Sequence, residues 1–241
     1  MAADSRRGHG DSQREGGAVA ILGHSHALSG AVSGAAAGEL LLHLPLPGTL
    51  ALAGLTAGFA TLPDLDTCGS CAARSLGFAS EAFAWLISRV SGGHRHATHS
   101  LLGVAVFTSA AVVAGLFRHD LAARVVLALW LMLAIAAGLR ALRVRGHGAD
   151  LAGLGAAVVI AWTGWDLRLA ALACALGCAC HIAGDMLTTA GCPLAWPVPL
   201  RHFGMPRPLS FVTGTWRETW CVVPVLFGLL GVLAWHAVTI A

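Results

Sequence analysis

The chain has 241 residues, of which 56% are hydrophobic and 11% are charged. A soluble domain carries about 25% charged residues, so the composition excludes an ordinary soluble protein and indicates an integral membrane protein with membrane lipids around it. The formal net charge of +3 is small, and no basic block is interleaved with aromatic residues. These two features exclude nucleic acid as a partner.

The chain opens with a polar segment, residues 1–17, which is charged, rich in glycine and without periodicity. Such a segment cannot bury apolar surface, so we expect a disordered N-terminal tail. It carries both signs of charge and leads into no compact apolar core with a cleavage site, which argues against a signal peptide. Residues 18–241 are then expected to form one membrane-embedded domain.

Seven apolar segments follow, and most approach the roughly 20 residues that a helix needs to cross the hydrocarbon core. They predict an all-α, polytopic membrane helical bundle with about 5–7 transmembrane segments. The two shortest, 48–62 and 149–165, leave a re-entrant segment open as the alternative. In chain order the seven are Ala18–Leu42, Gly48–Leu62, Thr98–Phe117, Leu121–Leu139, Ala149–Trp165, Leu167–Thr189 and Thr219–Ala241.

Two further patterns concern how the helices pack and where one of them lies in the membrane. The first apolar segment is rich in Gly, Ala and Ser, the residues that allow helices to approach closely in lipid. Between the second and third segments, residues 78–90 place Glu81, Ser88 and Arg89 among apolar residues. That pattern predicts an amphipathic helix lying at the membrane interface.

The distribution of arginine between the loops predicts how the helices are oriented across the membrane. If all seven segments span, the tail and the loops 63–98, 140–148 and 190–218 lie on one side and carry twelve Arg residues. The positive-inside rule makes that side cytoplasmic. The opposite side carries Arg118, Arg124 and Arg168.

Four short clusters of potential metal ligands lie near helix ends on this Arg-rich side. Imidazole nitrogens and carboxylates are common ligands of zinc-like ions. His94 and His99 are five residues apart, so a loop between them, with a helix beginning near Thr98, would direct both to one spot. The clusters are His24–His26, Asp64–Asp66, His94–His99 and His181–Asp185.

Two spacings favour shared ligation. Pro63 disfavours a continuing helix, so we expect an extended segment in which Asp64 and Asp66 point the same way. His181 and Asp185 are four residues apart and share one face of a helix. Ionisable groups at membrane depth are costly and suggest function. The alternatives are that the two Asp residues cap a turn, and that the His–Asp pair joins two helices.

Together, these motifs resemble the YdjM-type family of LexA-linked inner-membrane proteins, which are regarded as metal-dependent hydrolases similar to zinc-dependent phospholipases C. The resemblance covers most of residues 20–220 and depends on the order of the motifs. Thr67 departs from the family pattern, in which a His is common after the second Asp. The motifs are His26 with Gly30, Leu62-Pro63-Asp64-Leu65-Asp66, His94-Arg95 with Thr98-His99-Ser100, and His181 with Asp185, Thr188 and Gly191, followed by Trp196-Pro197.

The resemblance implies residue roles and a location in the bacterial inner membrane. Glu218 matches a late acidic position of the family. Arg95 would bind a phosphate through its planar guanidinium, and Thr98, Ser100 and Thr188 would orient ligands. Carried over by position, the implied metal ligands are His26, Asp64, Asp66, His94, His99, His181 and Asp185.

Seven nitrogen and oxygen ligands exceed what one four-coordinate ion needs, so we expect two or more divalent ions, with zinc as the first choice. The expected activity is hydrolysis of a phosphoester, such as a phospholipid or lipid phosphate, at the cytoplasmic membrane face by the domain 18–241. The alternatives are a metal transporter, a metal-binding membrane protein without catalysis, and an interaction module in which a metal joins four helix ends. The sequence leaves the oligomeric state open.

The orientation is testable by cysteine-accessibility labelling. Cysteines placed at Leu76 and Met205 should react from the same side of the membrane as the N-terminus, because the arginine distribution places both loops with the tail. Labelling of these two positions from opposite sides would contradict a site on a single membrane face.

Overall fold

The computed structural model describes residues 11–117, 119–144, 146–163, 167–198 and 201–240, with only the backbone for residues 11–22, 167 and 240. Within these ranges the chain forms eight α-helices and no β-strand, so the predicted all-α membrane bundle is confirmed. The helices are α1 (Asp11–Ala36), α2 (Leu46–Phe59), α3 (Phe78–Ser91), α4 (Leu101–Leu116), α5 (Leu121–Ala141), α6 (Gly148–Trp162), α7 (Leu167–Met186) and α8 (Val223–Ile240).

The helix ends differ modestly from the predicted segments. A π-helical turn, Ala37–Leu41, extends α1, and another, Glu218–Val222, precedes α8. The predicted disordered tail stays a prediction, since residues 1–10 lie outside the described residues; from Asp11 onward the backbone is helical. The predicted segment ends Trp165 and Ala241, and Arg118, also lie outside them.

Four stretches are long and apolar enough, by length and composition, to cross a membrane: Leu46–Asp66, Leu121–Ala141, Arg168–Met186 and Glu218–Thr239. The helices α4 and α6 are apolar but shorter, with 16 and 15 residues. The second predicted segment is longer than expected, because a short 3-10 turn at Pro63–Asp66 prolongs it beyond Leu62.

Helix α2 lies at the centre of the bundle and packs against α1, α5 and α7. Its contact with α1 is made at two glycines of α1, Gly30 and Gly34, which lie four residues apart. A Cβ atom on Gly30 would lie 2.6 Å from the carbonyl oxygen of Thr56, and one on Gly34 would lie 2.7 Å from Cα of Ala53. The backbones therefore touch, as expected for small residues on neighbouring helices in lipid.

Glycines also bring α5 and α7 onto α2. Gly138 of α5 faces Gly58 of α2, and a Cβ on Gly138 would lie 2.9 Å from Cα of Gly58. On α7, a Cβ on Gly177 would lie 2.7 Å from the backbone nitrogen of Ala60. Since α2 is held on three sides, the turn that follows it has a fixed position beside the end of α7.

Helix α3 is amphipathic, as predicted for residues 78–90. Phe78, Trp85 and Val90 are exposed, and Ser80 and Ala84 are buried. The helix ends at Gly92, which adopts φ +87°, a left-handed conformation that glycine adopts without strain. Its location at the membrane interface stays a prediction.

The close contact between α1 and α2 predicts the effect of a single methyl group. Gly30→Ala should lower the free energy of unfolding by about 1–3 kcal/mol, because the new Cβ meets backbone atoms that cannot move aside. Thermal unfolding in detergent micelles measures the change. The matched control is Gly54→Ala on α2, where a Cβ meets nothing within 4 Å; equal losses in both variants would contradict the packing argument.

Candidate metal centre

Four segments bring histidine and aspartate side chains together at one end of the bundle. They are α1, the 3-10 turn Pro63–Asp66, the 3-10 turn Ala97–His99 and the last turns of α7. Most of the side chains are buried. The sequence-predicted ligands that meet here are His26, Asp64, Asp66, His94, His99, His181 and Asp185.

Two carboxylate oxygens face the same pair of imidazole nitrogens within this group: Oδ1 of Asp64 and Oδ2 of Asp185 each face Nε2 of His99 and Nε2 of His181. The two Nε2 atoms are 3.1 Å apart. Oδ1 of Asp64 lies 3.7 Å from each of them. Oδ2 of Asp185 lies 3.5 Å from Nε2 of His99 and 3.7 Å from Nε2 of His181.

These separations fit a tetrahedral ion. Two atoms that each lie about 2.0–2.1 Å from a tetrahedral zinc ion are about 3.3 Å apart, and the five measured separations run from 3.1 to 3.7 Å. Two imidazoles and two carboxylates are also a donor set that zinc accepts. Asp64, His99 and His181 are thus arranged to hold one divalent ion, and Oδ2 of Asp185 lies close to the same two nitrogens.

The other nitrogen of each ring has its own partner. Nδ1 of His181 lies 2.7 Å from the carbonyl oxygen of Ala60, so it carries the proton and donates it to that oxygen. Nδ1 of His99 lies 3.2 Å from Oδ2 of Asp66. Metal-ligating histidines are held in this way, and the contacts leave both Nε2 atoms facing Asp64 and Asp185.

Asp64 and Asp66 reach opposite edges of the His99 ring. Asp64 faces Nε2 and Asp66 faces Nδ1. The prediction of an extended segment was wrong: proline suits the first position of a helical turn, and Pro63 begins a 3-10 turn in which the two carboxylates diverge. Asp64 is therefore placed as a ligand and Asp66 as the residue that orients His99.

Asp66 accepts several hydrogen bonds. Thr98 Oγ1 donates to its Oδ2 over 2.5 Å, and the backbone nitrogen of Arg95 donates over 3.1 Å. Nδ1 of His94 lies 2.9 Å from Oδ1 of Asp66. The ring of His94 is 48% exposed, and Thr67 Oγ1 lies 2.9 Å from the same Nδ1. The sequence did not predict this contact between Thr67 and His94. Thr67 occupies the position where the family pattern has another His.

Asp185 has a second set of contacts through Oδ1. Nε2 of His26 lies 3.4 Å away, and an Nη atom of Arg95 donates to the same oxygen over 2.8 Å. Arg95 also donates to Thr188 Oγ1 over 3.3 Å. The His26 ring stacks on His181 at 3.8 Å between centroids, and Gly184 leaves it room, since a Cβ there would lie 3.1 Å from Cε1 of His26.

Two predicted site residues do not contact the cluster. Ser100 caps α4, accepting a hydrogen bond from the backbone nitrogen of Gly103 at 3.2 Å. Glu218 is buried and accepts hydrogen bonds from Ser25 Oγ at 2.5 Å and from the backbone nitrogen of Gly214 at 2.7 Å. Neither would contact an ion held by these donor atoms. The contacts of Ser100 and Glu218 therefore do not explain the roles predicted for them at the metal centre.

A comparison with protein families found one match, the model of the YdjM inner membrane protein, which covers residues 21–240. The chain belongs to this family. No curated protein and no solved structure matches it.

Membership of the YdjM family confirms the resemblance drawn from the four motifs. The matched range includes every implied ligand and Glu218. It also supports a membrane location, together with the apolar helices. The family name itself states neither a metal nor a reaction.

In the YdjM-family protein, three overlapping groups could hold an ion. One combines Asp64, His99 and His181, a second combines His26, His181 and Asp185, and the third combines Asp66, His94 and His99. Because His99 and His181 are each shared, the three groups cannot all be filled independently. The group around Asp64 has the most complete surroundings, since Oδ2 of Asp185 adds a fourth donor atom.

Two groups near the centre and outside the helical spans, His99 and Cys192, have shifted pKa values. Burial alone would lower the pKa of His99, but its hydrogen bonds to Asp64 and Asp66 outweigh burial and raise the pKa to about 9. The ring therefore holds an extra proton at neutral pH, which it must release when Nε2 binds an ion. Burial and the charge of Asp185 raise the pKa of the Cys192 thiol to about 12, so the thiol stays neutral beside the centre.

Asp66→Asn tests the supporting role of this residue. An amide accepts the Nδ1 proton of His99 less strongly than a carboxylate, so the affinity for zinc should fall about 10–100-fold. Competition with a chromophoric chelator measures the affinity. Asp150→Asn is the matched control, because Asp150 pairs with Arg140 at 2.7 Å and lies outside the cluster. An unchanged affinity in Asp66→Asn would show that Asp66 does not orient a ligand.

Proposed function

We propose that this YdjM-family protein is a membrane-bound, metal-dependent hydrolase that acts on a phosphoester. The observation that carries the proposal is the group of Asp64, His99 and His181, whose donor atoms lie 3.1–3.7 Å apart, together with Oδ2 of Asp185, which faces the same two nitrogens. Asp66 and the Ala60 carbonyl group contact the other nitrogens of the two rings. Buried carboxylates and imidazoles are costly without a compensating charge. A divalent ion would supply that charge.

Each side chain has a distinct task in this proposal. Asp64, His99, His181 and Asp185 would hold the ion, and a water molecule would bind to it as a further ligand, an expansion that zinc allows. The ion when bound lowers the pKa of that water molecule and polarises the phosphoester. Asp66 keeps the His99 ring in place, and Thr98 keeps Asp66 in place through its 2.5 Å hydrogen bond. In the hydrolysis itself, a water oxygen bonds to phosphorus and the alcohol leaves with a proton.

A second ion would use Asp185 as a bridge. Its Oδ2 faces the Nε2 atoms of His99 and His181, whereas Oδ1 faces His26. Arg95 donates to the same Oδ1, so its guanidinium group now stands where a second positive charge would be needed. We propose that Arg95 turns from Asp185 to the phosphate when substrate and ions are bound, which its planar, bidentate donor geometry suits.

Two rival functions are compatible with a metal site. Transporters hold ions near the membrane midplane on broken helices, whereas three of the four segments of this cluster, the turns at 63–66 and 97–99 and the last turns of α7, lie where helices begin or end. A purely structural ion would join the same segments. Catalysis is favoured over a structural ion by the cavity that adjoins His26 and Thr188, since a structural zinc site needs no space beside it.

The proposed location is the cytoplasmic face of the bacterial inner membrane, with a membrane lipid as substrate. Its support is the family description and the arginine distribution. A site at the membrane face can reach a lipid headgroup without removing the lipid from the bilayer.

Three variants separate catalysis from a structural role. Asp185→Asn and His181→Ala should each abolish hydrolysis of p-nitrophenyl ethyl phosphate, and the double variant should lose no more than the worse single variant, because residues that act as one unit are non-additive. Arg95→Lys should keep the zinc content but turn over more slowly, since lysine lacks the planar fork. Absorbance of p-nitrophenolate and elemental analysis measure the two properties.

The control is His147→Ala, which removes an exposed histidine outside the cluster and should change neither property. Loss of zinc in Arg95→Lys, or near wild-type hydrolysis in Asp185→Asn, would contradict the assigned roles. Wild-type protein with tightly bound zinc and no hydrolytic activity would favour the structural ion.

A further inference from the structure

A cavity of about 520 Å³ lies directly beside the candidate metal centre. It is bounded by α1, the last turns of α7, the loop around Met205 and the first turns of α8. Two of its lining residues, His26 and Thr188, also belong to the cluster described above. The cavity and the centre therefore adjoin at His26 and Thr188, and a ligand that fills the cavity has one end beside the metal centre.

The polarity of the residues that line the cavity changes along its length. On α1 the lining residues run from His26 through Ser29 to Ser33, which is about 10 Å along a helix. Along the π-helical turn and the start of α8 they run from Glu218 through Val222 to Leu226, or about 12 Å. The ionisable residues lie at the end beside the metal centre, and small or apolar residues line the rest.

The far end carries no charge. Its polar groups are satisfied within the wall, since the thiol of Cys180 donates to Ser33 Oγ over 2.9 Å. A polar ligand would find no ion pair there. An alkyl chain needs no ion pair, because each methylene group removed from water lowers the free energy of binding by about 0.8 kcal/mol.

The cavity also opens to the surface. Leu187 and Met205 line it and are 39% and 47% exposed, at the end nearest the loop 190–218. Helix α8, which forms one wall, turns large apolar side chains such as Phe227 and Trp235 outward, as expected of a helix in contact with the bilayer. A lipid chain could therefore enter from the membrane face along α8.

We propose that this cavity binds the alkyl chain of one membrane lipid, so that the phosphoester of that lipid lies at the metal centre beside His26. The inference rests on the proposed function and adds the position of the substrate: head at the ligands, chain between α1, α7 and α8. Ser33 and Leu226 then determine how long a chain is accepted.

The test uses two phosphodiesters that differ only in chain length, p-nitrophenyl octyl phosphate and p-nitrophenyl ethyl phosphate, because an extended octyl chain is about as long as the cavity walls. Ser33→Leu and Leu226→Trp fill the far end from opposite walls. Each should lower the ratio of kcat/KM for the long substrate to that for the short one at least tenfold, the effect of excluding about two methylene groups. An unchanged ratio in both variants would overturn the inference.

Two controls accompany the filling variants. Ser33→Ala leaves the space open and should keep the wild-type ratio. Gly228→Leu enlarges α8 at a position where a Cβ meets nothing within 4 Å and should keep it as well. A fall in the ratio in Gly228→Leu equal to that in Leu226→Trp would attribute the effect to α8 in general and overturn the inference.

A second measurement is independent of catalysis. Octylphosphonate with a diazirine at the end of its chain resists hydrolysis and can be cross-linked to the zinc-loaded protein in micelles. The chain end should label the peptides that contain Ser33 and Leu226, and excess unmodified octylphosphonate, but not octanol, should suppress the labelling. Labelling confined to the outer face of α8 would overturn the inference. If the wild-type protein cleaves neither phosphodiester, the proposed function fails, and the cross-linked position still decides whether the cavity holds the chain.

Discussion

The close approach of α7 to α2 is the constraint on which the metal centre depends. Gly177 lets the two backbones touch at Ala60, and His181 lies one turn further along the same face of α7. Its Nδ1 therefore meets the Ala60 carbonyl oxygen at 2.7 Å. That oxygen is free to accept because α2 ends at Phe59 and the last carbonyl groups of a helix have no partner within it. The end of one helix thus orients the principal histidine of another.

Electrostatics then determines how the rest of the cluster is arranged. Asp66 and Asp185 are buried, and a buried carboxylate is tolerated only with hydrogen bonds and opposite charge nearby. Asp66 obtains its hydrogen bonds from Thr98, the backbone of Arg95 and the neighbouring histidines. Asp185 obtains them from the Arg95 side chain. A divalent ion between Asp64, Asp185 and the two imidazoles would replace the extra proton on His99 as the central positive charge.

Some of this arrangement could be predicted from the sequence and some could not. The i,i+4 spacing of His181 and Asp185 and the small residues of α1 are local patterns, and both predict contacts that the structure contains. The divergence of Asp64 and Asp66 depends on the conformation that Pro63 adopts, and proline is compatible with either an extended strand or the start of a turn. Ser100 follows the same logic: serine at a helix start is a frequent cap, and only the fold shows that its hydroxyl serves Gly103 rather than a ligand.

The hydrogen bonds of Glu218 indicate a structural role for this residue. It lies in the π-helical turn before α8 and joins that turn to α1 through Ser25 and to the preceding loop through the Gly214 backbone. Helix α8 otherwise meets the bundle chiefly along α1 and has few buried residues. The carboxylate therefore anchors the one wall of the cavity that the rest of the fold holds loosely, at the end nearest His26. Hydrogen bonds to a carboxylate are stronger than those to a neutral acceptor, so Glu218 can close the polar end of the cavity without contacting the metal ligands.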